Sequence, residues 1–110
     1  MTAYKISFQY SENTYCTNLV FAPDLETVET HYSRYKWKHT TEASDSDISE
    51  ATRKGMPIKT VHKIELKLKP GSAYEGYNNY TLDHKDLDFE IAGAKADPEI
   101  IAVYVDGEQV

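Results

Sequence analysis

Cysteine is almost missing from this chain. Cys16 is the one thiol among 110 residues, which excludes an internal disulfide framework and a multi-cysteine zinc site. Long apolar runs are missing too. No stretch approaches the roughly 18 residues of a membrane span, and the opening Met1-Thr2-Ala3-Tyr4-Lys5-Ile6 lacks the apolar core of a signal peptide. Positive charge is scarce: 12 Lys and Arg stand against 18 Asp and Glu, a net charge of −6. That balance argues against direct nucleic-acid binding, whose affinity rests on Lys and Arg releasing counterions from phosphates. The sequence also lacks a Gly-rich phosphate loop, a G-x-S-x-G elbow and an H-E-x-x-H pair. No catalytic residue, metal-ligand set or cofactor is therefore assigned, and a non-enzymatic, membrane-free, intracellular protein is expected.

The pattern that remains is that of one α+β domain spanning residues 1–110. Tyr4, Ile6, Phe8 and Tyr10 alternate with Lys5, Ser7 and Gln9, the period of a half-buried strand. Thr14–Ala22 alternates again after the polar break Ser11-Glu12-Asn13, so the two segments read as a hairpin. Asp24 is placed to cap a helix whose apolar stripe is Leu25, Val28, Tyr32 and Tyr35. A short strand over Lys36–Thr41 follows. The next helix is expected from Asp47 to Lys54, with Asp47 and Glu50 at capping-box spacing and Gly55 as its left-handed stop. Ile58–Lys69 is the clearest strand, with His62, Ile64, Leu66 and Leu68 on one face. His62 on that face reads as a hydrogen-bonded core residue, and Cys16 as a small apolar side chain in mid-strand.

Residues 74–80 read as a loop or an edge strand. Leu87, Phe89 and Ile91 alternate with Asp86, Asp88 and Glu90, favouring a strand, although Asp83 would also cap a helix there. Glu99–Val105 reads as a last strand, closed by the turn dipeptide Asp106-Gly107. The expected architecture is a small, single, mostly antiparallel sheet with two short helices packed on one face.

Charge is unevenly placed. Residues 75–108 hold nine acids against Lys85 and Lys95, and Glu42, Asp45, Asp47 and Glu50 make a second acidic run. On a strand, Asp86, Asp88 and Glu90 would repeat at roughly 6.6–6.8 Å, about two axial phosphate steps of one DNA strand. Such a stripe could occupy the basic groove of a nucleic-acid-binding protein. Tyr74, Tyr77 and Tyr80 would add aromatic anchors of the kind enriched at interface hot spots. Glu42, Asp45, Asp47, Glu50, Tyr74, Tyr77, Tyr80, Asp83, Asp86, Asp88 and Glu90 are thus the candidate partner-binding residues. Rival readings are ordinary solvated charge, an assembly domain dimerising through sheet edges, and a small metal site at His84 among Asp83, Asp86 and Asp88.

The run Tyr10-Ser11-Glu12-Asn13-Thr14-Tyr15-Cys16-Thr17-Asn18, followed by Arg53-Lys54-Gly55-Met56-Pro57, resembles small acidic proteins encoded on bacterial phages and conjugative elements. The likeness covers about the first 60 residues. That class includes anti-CRISPR and antirestriction proteins, which inhibit host nucleases by direct binding. The resemblance implies a mobile-element origin and residence in the bacterial cytoplasm, with a host nuclease or CRISPR effector as the expected partner. It carries no functional residues over to this chain.

Overall fold

The computed structural model describes residues 1–72 and 78–110. These residues form seven strands and three α-helices, an α+β chain whose strand pairs are mostly antiparallel. The chain divides into two compact units, 1–61 and 62–110.

In the first unit, β1 (Thr2–Ser11) and β2 (Thr14–Ala22) form the expected antiparallel hairpin. On its other side β1 pairs antiparallel with β3 (Lys38–Glu42). Leu19–Phe21 of β2 pairs in parallel with Ile58–Thr60 at the start of β4 (Ile58–Leu68). The period-two pattern explains the core: Tyr4, Ile6 and Phe8 turn one way and meet Val20, Ala22 and Val61. Helix α1 (Leu25–His31) covers this face through Val28, and Tyr32 at its end packs there too. Asp24 caps α1 as expected, accepting from the Thr27 backbone N–H at 2.8 Å. The helix stops four residues short of Tyr35, yet Tyr32 and Tyr35 both remain against Phe8, with ring centroids 5.1 and 4.5 Å away. Asn18 donates to the buried Tyr32 hydroxyl at 3.1 Å, so burying that polar tip leaves no unmet bond. Cys16 is half-buried against the same cluster.

The opposite face, with Lys5, Ser7 and the fully buried Leu19, is met by α2 (Asp45–Lys54). The two helices therefore do not share one face. The α2 capping box also sits three residues earlier than expected. Ser44, not Asp47, is the N-cap: its hydroxyl accepts from the Asp47 N–H, and the Asp47 carboxylate accepts from the Ser44 N–H at 2.9 Å. Gly55 ends α2 in the left-handed conformation, φ 68°, that a residue with a Cβ avoids.

In the second unit, β4 pairs with β5 (Asn79–Asp83) and, antiparallel, with β6 (Ile100–Val105). β6 continues through Asp106-Gly107, φ 52° and 88°, into the two-residue β7 (Glu108–Gln109). Two successive positive φ angles make the tight turn whose twist matches a hairpin. Between β5 and β6 lie a 3₁₀ turn (His84–Asp86) and α3 (Leu87–Ala96).

Helix α3 overturns the strand expected over 86–91. Leu87, Ile91 and Ala94 recur at i, i+4 and i+7, a helical stripe hidden inside the alternation of Leu87, Phe89 and Ile91. Ala92, Ala94 and Ala96 add helix propensity. Ala94 is buried, whereas Phe89 points outward and is 85% exposed. Asp83 does act as a cap, for the 3₁₀ turn, where it accepts from the Lys85 N–H.

Candidate functional site

Three residues far apart in sequence join in the second unit. His62 lies near the middle of β4, His84 opens the 3₁₀ turn, and Asp106 occupies the β6–β7 turn. His62 Nδ1 lies 2.6 Å from Asp106 Oδ2, and His62 Nε2 lies 2.8 Å from His84 Nδ1. Asp106 is anchored in turn: its Oδ1 accepts from the Lys63 N–H and its own N–H donates to the Lys63 carbonyl, each at 2.9 Å.

The bonding order follows from valence. An ionised carboxylate accepts only, so His62 carries its proton on Nδ1. With both rings neutral, His62 Nε2 is an acceptor and His84 donates from Nδ1, leaving His84 Nε2 as a base. His62 is buried and His84 exposed, so the chain leads from the interior to the surface. The core role expected for His62 is met, and both its nitrogens are engaged.

A second feature lies on α3. Phe89 stands at the lip of an open groove of about 210 Å³, lined also by Leu66, Tyr80, Glu90, Ala94 and Ile100. The Tyr80 hydroxyl donates to Glu90 Oε1 at 2.6 Å. Burial, and then this bond to a carboxylate, push the Tyr80 hydroxyl well above the ordinary tyrosine range, so it stays protonated. Gly93 also faces the groove, and a Cβ there would meet nothing within 4 Å. Asp86 and Asp88 precede Phe89 in the chain, and both are exposed.

The expected partner-binding residues therefore fare unequally. Asp86 and Asp88 are exposed acids at the start of α3, but helical rise replaces the strand repeat, so the phosphate-spaced stripe with Glu90 does not exist. Tyr80 and Glu90 are half-buried and bonded to each other, and Asp83 spends one oxygen as a cap. Tyr74 and Tyr77 lie outside the described residues. The run Glu42, Asp45, Asp47 and Glu50 belongs to the first unit. Within it, the Asp47 carboxylate accepts from the Ser44 N–H in the α2 capping box and lies 3.5 Å from Lys5 Nζ, and Glu50 pairs with Lys54 at 2.6 Å. Ser44 and Lys5 hold Asp47, and Lys54 holds Glu50, below the ordinary carboxylate range. Glu42 and Asp45 are exposed, on β3 and at the start of α2.

Phe89 as an exposed residue and the His62–Asp106 bond were both missed by sequence reasoning. A helical count from Leu87 would have found the first. Nothing local signals the second, whose partners are 44 residues apart. Among the described residues, no three His, Cys, Asp or Glu side chains converge as metal ligands, and no helix is long and apolar enough to cross a membrane. Comparison with protein-family models, curated proteins and solved structures finds no match for this chain.

Proposed function

We propose that this protein is a non-catalytic acidic inhibitor that binds a nucleic-acid-handling host protein of the kind anti-CRISPR and antirestriction proteins target. Its docking face is α3. The observation that carries the reading is Phe89, 85% exposed at the lip of a groove and preceded on the chain by the exposed Asp86 and Asp88. A large aromatic ring left in water is an interface anchor in search of a pocket. Its acidic border selects a basic partner surface, such as the groove in which a nuclease holds nucleic acid. The binding element is thus an aromatic anchor with a carboxylate rim, in place of a strand that imitates phosphate spacing. The weak resemblance of residues 1–60 to mobile-element proteins agrees with a host target.

The test is capture from bacterial host lysate at low and high salt, followed by a cleavage assay on whatever nuclease is retained. The expected result is salt-weakened retention of a nuclease or CRISPR effector whose cleavage the purified protein inhibits. The Asp86→Lys, Asp88→Lys, Phe89→Ala variant should lose both effects with an unchanged circular dichroism spectrum. Inhibition that survives this variant would overturn the α3 reading. A second reading, dimerisation through sheet edges, rests on β3, five residues long and paired with β1. It requires a concentration-dependent dimer in sedimentation.

A further inference from the structure

The chain from Asp106 through His62 to His84 is not used by the docking face, yet it ends on the turn that launches α3. We infer that these three residues form a proton-sensitive clasp that controls the order of α3, and through it the docking face. This rests on the α3 reading for its consequence, but not for its existence.

The physical argument is a count of protons. One hydrogen bond joins the two rings, across 2.8 Å between His62 Nε2 and His84 Nδ1. That bond holds one proton, with a lone pair opposite it. His62 Nδ1 needs its own proton to meet Asp106. With the clasp closed, the pair therefore has room for one further proton: on His84 Nε2, or on His62 Nε2 with His84 reversed as acceptor. Either way Asp106 balances the single positive charge. A second added proton places N–H against N–H, two cations with ring centroids 5.0 Å apart, and the bond between the rings is lost. The open form takes two protons where the closed form takes one. By linkage, falling pH favours opening, and rising pH restores the closed form.

The surroundings do not cancel this. Asp106 is the carboxylate in contact with the pair, held by Lys63 backbone bonds. Lys63 Nζ lies 3.3 Å from Glu65 Oε1. Beside His84 in the chain are Asp83, which caps the turn, together with Lys85 and Asp86, both exposed. None of these carboxylates can supply the lone pair that the second added proton removes. His84 is the first residue of the 3₁₀ turn, and the Leu87 N–H at the start of α3 donates to the His84 carbonyl. Releasing His84 therefore loosens the helix that follows.

Hydrogen exchange of the free protein, corrected for intrinsic rates, tests this without any partner. Between about pH 8 and about pH 5, the range over which imidazole titrates, protection of amides 84–96 should fall about tenfold, the scale of one charge-assisted hydrogen bond. Protection in β1 and β2 should hold. In His84→Asn, whose site is exposed and tolerant, the pH step should vanish. In Asp106→Asn, which keeps a residue suited to φ 52°, protection of 84–96 should already be reduced at the higher pH. Unchanged wild-type protection across this range, or a step that survives in His84→Asn, would overturn the clasp. Neither result bears on whether α3 binds a nuclease at neutral pH, so the two readings fail separately.

Discussion

The two units of this chain differ in their balance of charge and in where Phe8 and Phe89 are placed. Residues 1–61 carry seven Lys and Arg against eight Asp and Glu, whereas residues 62–110 carry five against ten. The first unit folds Phe8, Tyr32 and Tyr35 into its core and pairs acids with bases, as in Lys5–Asp47 and Glu50–Lys54. The second leaves Phe89 in water beside exposed carboxylates and ties His62 to Asp106. Tyr10, Tyr15 and Trp37 of the first unit are exposed as well, Tyr15 and Trp37 packed edge to face. What separates the units is the acid excess of the second and the phenylalanine it displays beside exposed acids.

The strongest way to break the comparison is to truncate one phenylalanine in each unit. Phe8→Ala should cost about 3–5 kcal/mol, the range for a buried ring that leaves a cavity, read as a large fall in the urea midpoint. Phe89→Ala should change stability by no more than about 0.5 kcal/mol, as for an exposed side chain. Equal costs would refute the division between a structural and a displayed aromatic ring. Ser44→Ala should produce a smaller loss of about 1 kcal/mol, the usual value for a removed N-cap. It would show that the acidic run at 42–50 is organised by helix capping.

The smallest effect concerns acid. Asp47 and Glu50 have depressed carboxyl values, so their contribution is present above the ordinary carboxylate range and is lost as pH falls through the folded values. A slight drop in urea midpoint is expected below about pH 4. It should be smaller in Asp47→Asn than in the wild type.

Much of the fold was readable from local pattern. Alternation located β1, β2 and β4, and Asp24, Gly55 and Asp106-Gly107 marked boundaries that the structure keeps. The failures have definite causes. Ser44 and Asp47 both suit a cap, and their reciprocal bonds settle which one serves. Leu87, Phe89 and Ile91 satisfy period two, while Leu87, Ile91 and Ala94 satisfy the helical period. A short segment can obey both patterns until packing selects the face to bury.

By itself, then, the sequence determined the α+β class, the hairpin, the first helix cap and the acidic bias of the later half. These follow from side-chain period and capping chemistry, which act over a few residues. Only the tertiary structure decided that α1 and α2 take opposite faces of the first unit's sheet, and that His62 meets Asp106 and His84. The histidine chain joins side chains from 22 and 44 residues away, a distance across which neither periodicity nor capping carries information.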